Sequence, residues 1–372
     1  MVNSSFPPCP QPPDWKIDWT TLDTFPWIRD LQGCPQNPVR HAEGDVWTHV
    51  HMVCEAMAAL PAWRALPDAE RQIVFTAALL HDVAKPVCTR IEADGSISSR
   101  GHSWRGAVRA RQILWRLNVP FPQREQVAAI VRHHLVPFFL TESENPHRMA
   151  VEVSQTTRCD WLGLMAESDA RGRICPDPNQ ILGQIEHFRR LCAEIGCLNQ
   201  PHDFASDHAR FAYFRDGALS LDAAPEADFS SEVILMSGLP GAGKDYWIRR
   251  HMPERDLISL DALRIEMGVA PSDQQGIVLQ KAREIAVQHF AARRSFIWNA
   301  ANLSRHVRNE CVRFFHENGA RVRIVYVEAS PDRLFSQNRQ RRRKVPESVI
   351  ERLLDRWEVP DRTEAHQIDF YT

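Results

Sequence analysis

Between residues 45 and 214 apolar side chains recur three and four positions apart: Val46, Val50, Val53, Met57 and Leu60, then Ile73, Phe75, Ala78 and Leu79, then Val108, Ile113, Leu114 and Leu117. Such spacing lines one face of an α-helix, so the pattern predicts an all-helical domain. Ahead of it the first 13 residues hold five Pro, which rules out a regular helix there and predicts an extended arm or a packed strap. From 222 to 231 Ala, Pro, Asp, Glu and Ser follow without periodicity, the composition of a linker. Beyond it short apolar runs at 233–236, 257–258, 296–298 and 322–327 alternate with helical stretches such as 274–294 and 305–318. Unbroken apolar runs suit strands covered on both faces, and their alternation with helices predicts a parallel sheet. The expected architecture is multidomain, with an all-α domain over 1–221, a linker over 222–231 and an α/β domain over 232–372; no internal repeat is visible.

Composition agrees with packed domains, since 372 residues with 44% apolar and 25% charged side chains are too apolar for disorder. No apolar run approaches the roughly 20 residues of a membrane-spanning helix, and the start lacks the basic and apolar regions of a signal peptide. A cytoplasmic protein without a membrane partner is expected. Nine Cys without a Cys-x-x-Cys pair argue against a disulfide framework and against a thiolate zinc site. Net charge is only −2, but 23 Lys+Arg stand against 19 Asp+Glu from Glu232 onward and 22 against 28 before it. Only five of the 45 basic residues are Lys, and two of these, Lys85 and Lys244, fall in the motifs below.

Strand Val233-Ile234-Leu235-Met236 runs into Ser237-Gly238-Leu239-Pro240-Gly241-Ala242-Gly243-Lys244-Asp245 and then into a helical pattern. Strand, glycine loop and helix form a phosphate cradle: Gly238, Gly241 and Gly243 let backbone N–H groups wrap an anion, and Lys244 reaches the terminal phosphates of ATP or another NTP. Asp245 stands where Ser or Thr usually ligates Mg²⁺. A carboxylate serves as a hard oxygen ligand equally well, and a plain helix cap is the alternative. A later strand, Phe296-Ile297-Trp298-Asn299, ends on a neutral Asn where an acid is usual, which suggests that the carboxylate has moved to Asp245.

After another strand come Asp261 and, three residues on, Arg264. A hydroxyl acceptor needs a carboxylate base, and a phosphorylated acceptor needs a cation beside it. In Asn338-Arg339-Gln340-Arg341-Arg342-Arg343-Lys344, Arg339 and Arg343 lie four apart, as on a basic lid helix; a solvated face or a nucleic-acid patch is the alternative. These stretches resemble the 5′-hydroxyl polynucleotide kinases over about 232–366. The resemblance implies Lys244 on the phosphates, Asp261 as base, Arg264 on the acceptor phosphate, and Arg339 and Arg343 on the donor.

The helical domain holds Ala77-Ala78-Leu79-Leu80-His81-Asp82-Val83-Ala84-Lys85. Neighbours diverge by about 100° on a helix, so His81 and Asp82 reach one ion only at a helix end. With His49, His102, His134 and Asp169 they make an all-N/O donor set suited to Mn²⁺, Ni²⁺, Co²⁺, Fe²⁺ or Zn²⁺. His133 and Asp160 are alternatives to His134 and Asp169, while His41 and His51 read as structural. The order H…HD…D resembles the HD phosphohydrolase superfamily over about 37–173, and His41-Ala42-Glu43-Gly44-Asp45-Val46-Trp47-Thr48-His49 is similar to the HD domain of bacterial tRNA nucleotidyltransferases. That similarity implies His49, His81, Asp82 and Asp169 on one metal, with His102 and His134 completing a second or binding the scissile phosphate.

The two domains in this order resemble the bacterial HD-Pnk end-healing family. The resemblance implies hydrolysis of a 2′,3′-cyclic or terminal phosphate by the first domain and 5′-hydroxyl phosphorylation, with NTP and Mg²⁺, by the second. RNA or DNA ends are then the partners, with a polynucleotide ligase as a candidate downstream partner. A small-molecule or nucleotide kinase fused to a nucleotide phosphohydrolase, or an HD hydrolase regulated by NTP, are the alternatives.

Overall fold

The computed structural model describes residues 6–270, 275–341 and 343–372. The first residue of the predicted 274–294 helix and Arg342 of the basic run lie outside the described residues. The chain divides into two compact units, 1–202 and 203–372.

In the first unit six longer helices surround one core: α1 (Val46–Ala59), α2 (Asp68–Leu80), α3 (His102–Arg116), α4 (Phe121–His133), α5 (Cys159–Arg171) and α6 (Pro178–Glu194). The apolar stripe is the face that packs, with Val46, Val50, Val53 and Met57 of α1 and Phe75, Ala78 and Leu79 of α2 buried together. Asp45 starts α1 by accepting a hydrogen bond from Thr48 N at 2.9 Å, which satisfies an end group of the helix. Between α2 and α3 a small hairpin pairs Arg90–Ile91 with Ile97–Ser98, the one departure from an all-helical unit among the described residues. The Pro-rich start is a packed strap: Phe6 and Cys9 lie against the core, and Gln72 Nε2 donates to Pro7 O at 2.9 Å.

The second unit starts earlier than the linker reading placed it. Helix α7 (Asp207–Arg215) packs Phe211 into the same core as Val233 and Phe315, and Arg210 donates to Arg362 O and His366 O, each at 2.8 Å. A break at 222–231 would cut these contacts. Then follow β1 (Ser231–Ser237), α8 (Lys244–His251), β2 (Asp256–Ser259), α9 (Leu260–Glu266), α10 (Gln275–Ala291), β3 (Phe296–Asn299), α11 (Arg305–Glu317), β4 (Ala320–Val327), α12 (Pro331–Gln340), α13 (Glu347–Leu354) and β5 (Gln367–Tyr371). The sheet is parallel with order β2-β3-β1-β4-β5, and Val233 pairs with both Phe296 and Val322. Val233 and Leu235 pack one way with Trp298 and Phe315, Ile234 and Met236 the other way with Trp247 and Val325. Burial on both faces is why these strands read as unbroken apolar runs.

Candidate metal centre and nucleotide site

In the helical unit the implied ligands come from five helices. His49 lies one turn into α1, His81 caps the C-terminus of α2 with Asp82 in the following turn, and His134 caps α4. His102 opens α3 behind Gly101, whose φ of +77° suits glycine, and Asp169 sits in the last turn of α5. All are buried except half-buried His102. The helix end is what lets the adjacent pair His81 and Asp82 converge.

Each imidazole is held by its Nδ1. His81 donates to Ala78 O at 2.8 Å, His102 to Ser99 O at 2.7 Å and His134 to Val131 O at 2.8 Å, while His49 Nδ1 lies 2.8 Å from Glu43 Oε1. A proton on Nδ1 leaves a lone pair on Nε2. Those lone pairs face one another, His49 to His81 at 3.4 Å and His102 to His134 at 3.3 Å. Asp82 stands between the pairs: Oδ2 lies 3.2 Å from His81 Nε2 and 3.7 Å from His49 Nε2, and Oδ1 lies 3.4 Å from His102 Nε2. Oδ1 is buried and accepts no hydrogen bond among the described residues. Facing lone pairs repel unless a cation lies between them, and two nitrogens ~2.1 Å from one tetrahedral ion stand ~3.4 Å apart. The donor set therefore fits divalent cations, in two trios that share Asp82: His49, His81, Asp82 and Asp82, His102, His134.

Asp169 Oδ1 joins the first trio at 3.2 Å from His49 Nε2 and also pairs with Arg173. His134 rather than His133 enters the cluster, and Asp160 points elsewhere, to Arg158 at the far end of α5. His41 supports Glu43 at 2.9 Å, and His51 stacks on Trp19 with ring centres 3.5 Å apart. Three contributors are not in the predicted set: Glu43, Lys85, whose Nζ bridges Asp82 Oδ2 at 2.7 Å and Gln36 Oε1 at 2.6 Å, and Arg173. Lys85 and Arg173 lie three and four residues beyond the acids they neutralise, a helical spacing that was available as a signal. A cleft of about 780 Å³, lined also by Arg40 and Arg100, opens onto the centre.

The electrostatics favour the deprotonated forms of Asp82, Asp169 and His134. Burial works against the Asp82 charge, but His81 and Lys85 outweigh it and hold the carboxyl well below its ordinary range. Asp169 is likewise held low, against its burial, by Arg173 and His49. Burial, with the charges of His102 and His81, pushes His134 down to about 3. His49 runs the other way, raised against its burial by hydrogen bonds to Asp169 and Glu43.

In the second unit the glycine loop joins β1 to α8. At Gly238, φ +147°, an added Cβ would meet Val327 O at 2.2 Å, so only glycine fits. Gly241 and Gly243 also have positive φ, +87° and +107°. Lys244 Nζ reaches back over the loop to Gly238 O at 2.7 Å and Leu239 O at 3.1 Å, and burial, partly offset by Asp245, pulls its ammonium down to about 8. Asp245 Oδ1 accepts a hydrogen bond from Asn299 Nδ2 at 2.8 Å, whereas the N-cap of α8 receives no side-chain bond. Asn299 Oδ1 is buried without a donor, a hard oxygen beside a carboxylate. Asp245 and Asn299 together fit Mg²⁺ at the loop.

Asp261, in the first turn of α9, pairs with Arg264 one turn on; its side chain is 73% exposed, so the pair is weak enough to open. Its charge acts on Lys244. The lid expectation needs correction. Helix α12 ends at Gln340 and Arg341 is extended at φ −65°, ψ 142°, so Arg339 and Arg343 share no helix face. Asn338 ends the helix by clasping the following loop, donating to Val345 O at 2.7 Å and accepting from Val345 N at 3.0 Å. Arg339 pairs with Glu347 at 3.4 Å and Arg343 is exposed, whereas the cation whose charge acts on Lys244 is Arg341.

The family described as HD domain matches residues 45–165, and the family described as AAA domain matches residues 233–360. The chain carries an HD domain followed by a P-loop kinase-like domain of the AAA group. This is the arrangement expected from H…HD…D and the glycine loop, and it implies a divalent metal for the first domain and NTP with Mg²⁺ for the second. Over 178 residues the chain is 38% identical to the A-adding tRNA nucleotidyltransferase of Deinococcus radiodurans, a match covering 48% of this chain and 38% of that protein. The Multifunctional CCA protein of Halorhodospira halophila is 34% identical over 111 residues, 30% of this chain and 24% of that protein. That of Cupriavidus metallidurans is 32% identical over 164 residues, covering 40% and 35%. The chain thus spans less than two fifths of the length of these relatives. Among the described residues no helix is long and apolar enough to cross a membrane.

Proposed function

We propose that the protein is a bifunctional nucleic-acid end-healing enzyme of the HD-Pnk type, acting in the cytoplasm on RNA or DNA ends. In this reading the HD domain hydrolyses a 2′,3′-cyclic phosphate, or a terminal 2′- or 3′-phosphate, and the kinase domain phosphorylates 5′-hydroxyl ends. The observation that carries it is the placing of Asp261 beside a phosphate loop: Ser259, two residues before it, pairs with Asn299, whose Nδ2 donates to Asp245 at 2.8 Å, and Asp261 stands one turn from Arg264. A regulatory NTP switch needs no base beside a phosphate-binding cation.

At the HD centre the Nε2 atoms of His49, His81, His102 and His134 and the carboxylate of Asp82 would hold divalent ions. When bound, those ions supply charge for a phosphoryl oxygen and acidify water at the site. The chain's own cations do the rest: Lys85 and Arg173 balance Asp82 and Asp169, and Arg40 and Arg100 line the route for an anionic end. Water adds to phosphorus, one ester P–O bond of the ring breaks, and the released ribose oxygen takes a proton. In the kinase domain Lys244 and the loop N–H groups hold the donor phosphates, with Mg²⁺ at Asp245 and Asn299. Asp261 takes the proton of the 5′-hydroxyl as its oxygen bonds to the γ-phosphorus and the bond to the β-phosphate oxygen breaks. A 3′-hydroxyl, freed when the ring opens to a 2′-phosphate or when a terminal phosphate is removed, and a 5′-phosphate are the ends that a polynucleotide ligase joins.

The experiment is an oligoribonucleotide bearing a 5′-hydroxyl and a 2′,3′-cyclic phosphate, incubated with ATP, Mg²⁺ and Mn²⁺ or Ni²⁺ and read by mass. Gain of a 5′-phosphate together with opening of the cyclic phosphate supports the reading. Phosphorylation of free nucleosides with no transfer to the oligonucleotide would overturn it.

A further inference from the structure

Outside both sites, three thiols meet in the core of the HD unit. Cys159 is the first residue of α5, Cys192 lies in the last turn of α6, and Cys197 follows just beyond that helix. All three are fully buried, and their sulfurs lie within 4.8 Å of one another. Nothing in the nucleic-acid chemistry above uses them.

The backbone has built this convergence. Gly196, at φ +76°, turns the chain back after α6, so that Cys197 N donates to Cys192 O at 2.7 Å and Gly196 N to Ala193 O at 3.0 Å. In that turn the Cys-x₄-Cys spacing puts both sulfurs on one side, a knuckle of the kind that grips a metal. The third corner is stitched to it by Asp160 N, which donates to Leu198 O at 2.8 Å and brings the start of α5 against the knuckle. Cys159 Sγ and Cys197 Sγ each lie 4.0 Å from Ala150 O, long for a thiol hydrogen bond. Small core-filling residues account for burial but not for three sulfurs aimed at one point. Tetrahedral thiolates ~2.3 Å from one ion stand ~3.8 Å apart, within the observed spacing.

We propose that Cys159, Cys192 and Cys197 form a second, thiolate metal site that takes Zn²⁺ and ties α5 to α6. The missing Cys-x-x-Cys pair argued against such a site because one ligand is supplied from more than 30 residues away in sequence and the other two are spaced by four. Binding releases the three thiol protons, and the resulting thiolates carry the ion; the N-terminal end of α5 offsets part of their negative charge. The role is structural, since the cluster is sealed from solvent.

The test uses the full chain with Asp82→Ala, which empties the HD centre, loaded with Co²⁺ in place of Zn²⁺. Sulfur-to-cobalt charge-transfer bands in the near ultraviolet are expected, because the HD centre has only N and O donors. About one equivalent of Zn²⁺ should displace the Co²⁺ and bleach the bands. In the chain without substitutions, held in urea that opens the fold part of the time, Zn²⁺ should protect Cys159, Cys192 and Cys197 from alkylation, mapped by mass spectrometry, and Cys192→Ala should lose the bands. Absence of charge-transfer bands at saturating Co²⁺, or equal alkylation of the three thiols with and without Zn²⁺, overturns the proposal.

Discussion

Glu43 is not among the predicted ligands, yet its contact with His49 makes it the residue that tunes the HD centre. Its Oε1 lies 2.8 Å from His49 Nδ1 and 2.9 Å from His41 Nδ1, and its Oε2 accepts from Ile174 N at 2.9 Å. Replacing Glu43 by Gln keeps the shape but leaves an NH₂ facing either an imidazole N–H or the Ile174 N–H. His49 then loses the anion that fixes its tautomer and raises the basicity of its Nε2. Loss of such a partner costs about 10–100-fold in metal affinity, equivalent to about 1.4–2.7 kcal/mol. The assay is cyclic-phosphate hydrolysis at saturating substrate while Mn²⁺ or Ni²⁺ is titrated into metal-stripped enzyme. The midpoint should rise about 10–100-fold while the plateau rate recovers, and kinase activity should stay unchanged. An unmoved midpoint would refute the reasoning, because His49 would then need no help to present its lone pair.

Three further outcomes follow from the same geometry. Asp245→Ala should raise the Mg²⁺ requirement of phosphoryl transfer, and adding Asn299→Asp should restore part of it; a helix cap alone would instead cost about 1 kcal/mol of stability with unchanged Mg²⁺ dependence. Arg341→Ala should impair the kinase more than Arg343→Ala, measured as kcat/KM for ATP, because Arg341 is the residue whose charge reaches Lys244. In chelator, His134 stays neutral in the fold down to about 3 while the unfolded chain takes up a proton near pH ~6.5. Its contribution is therefore fully present above that value and lost as pH falls from there toward 3, and urea denaturation of the parent and His134→Gln chains should converge across that window.

The sequence made the large features readable where side-chain pattern and backbone need coincide. The stripe Val46, Val50, Val53 and Met57 showed a helix because its period is that of the buried face, and Gly238 announced the loop because no other residue fits beneath Val327 O. Strand β5 escaped notice because Gln367-Ile368-Asp369-Phe370-Tyr371 alternates polar and apolar residues at a half-covered edge. The domain boundary was misplaced for a related reason: helix α7 has the same periodicity whichever core its Phe211 enters. At the metal centre the His81-Asp82 step was visible, but Glu43 was not, since it reaches His49 from a loop without periodicity. The basic run was misread because spacing four apart implies a shared face only while the helix continues, and the clasp of Asn338 on Val345 ends it first.

The central claim is that one chain carries two separable reactions on nucleic-acid ends, and a pair of variants on one substrate tests it most directly. An oligoribonucleotide with a 5′-hydroxyl and a 2′,3′-cyclic phosphate is given to Asp261→Ala and, separately, to Asp82→Ala, with labelled ATP and both metals. Asp261→Ala should lose label transfer by about 10²–10⁴-fold, as removal of a base does, and still open the cyclic phosphate. Asp82→Ala should transfer label normally and leave the cyclic phosphate intact. Wild-type label transfer by Asp261→Ala, or cyclic-phosphate opening by Asp82→Ala at the parent rate, would contradict the account.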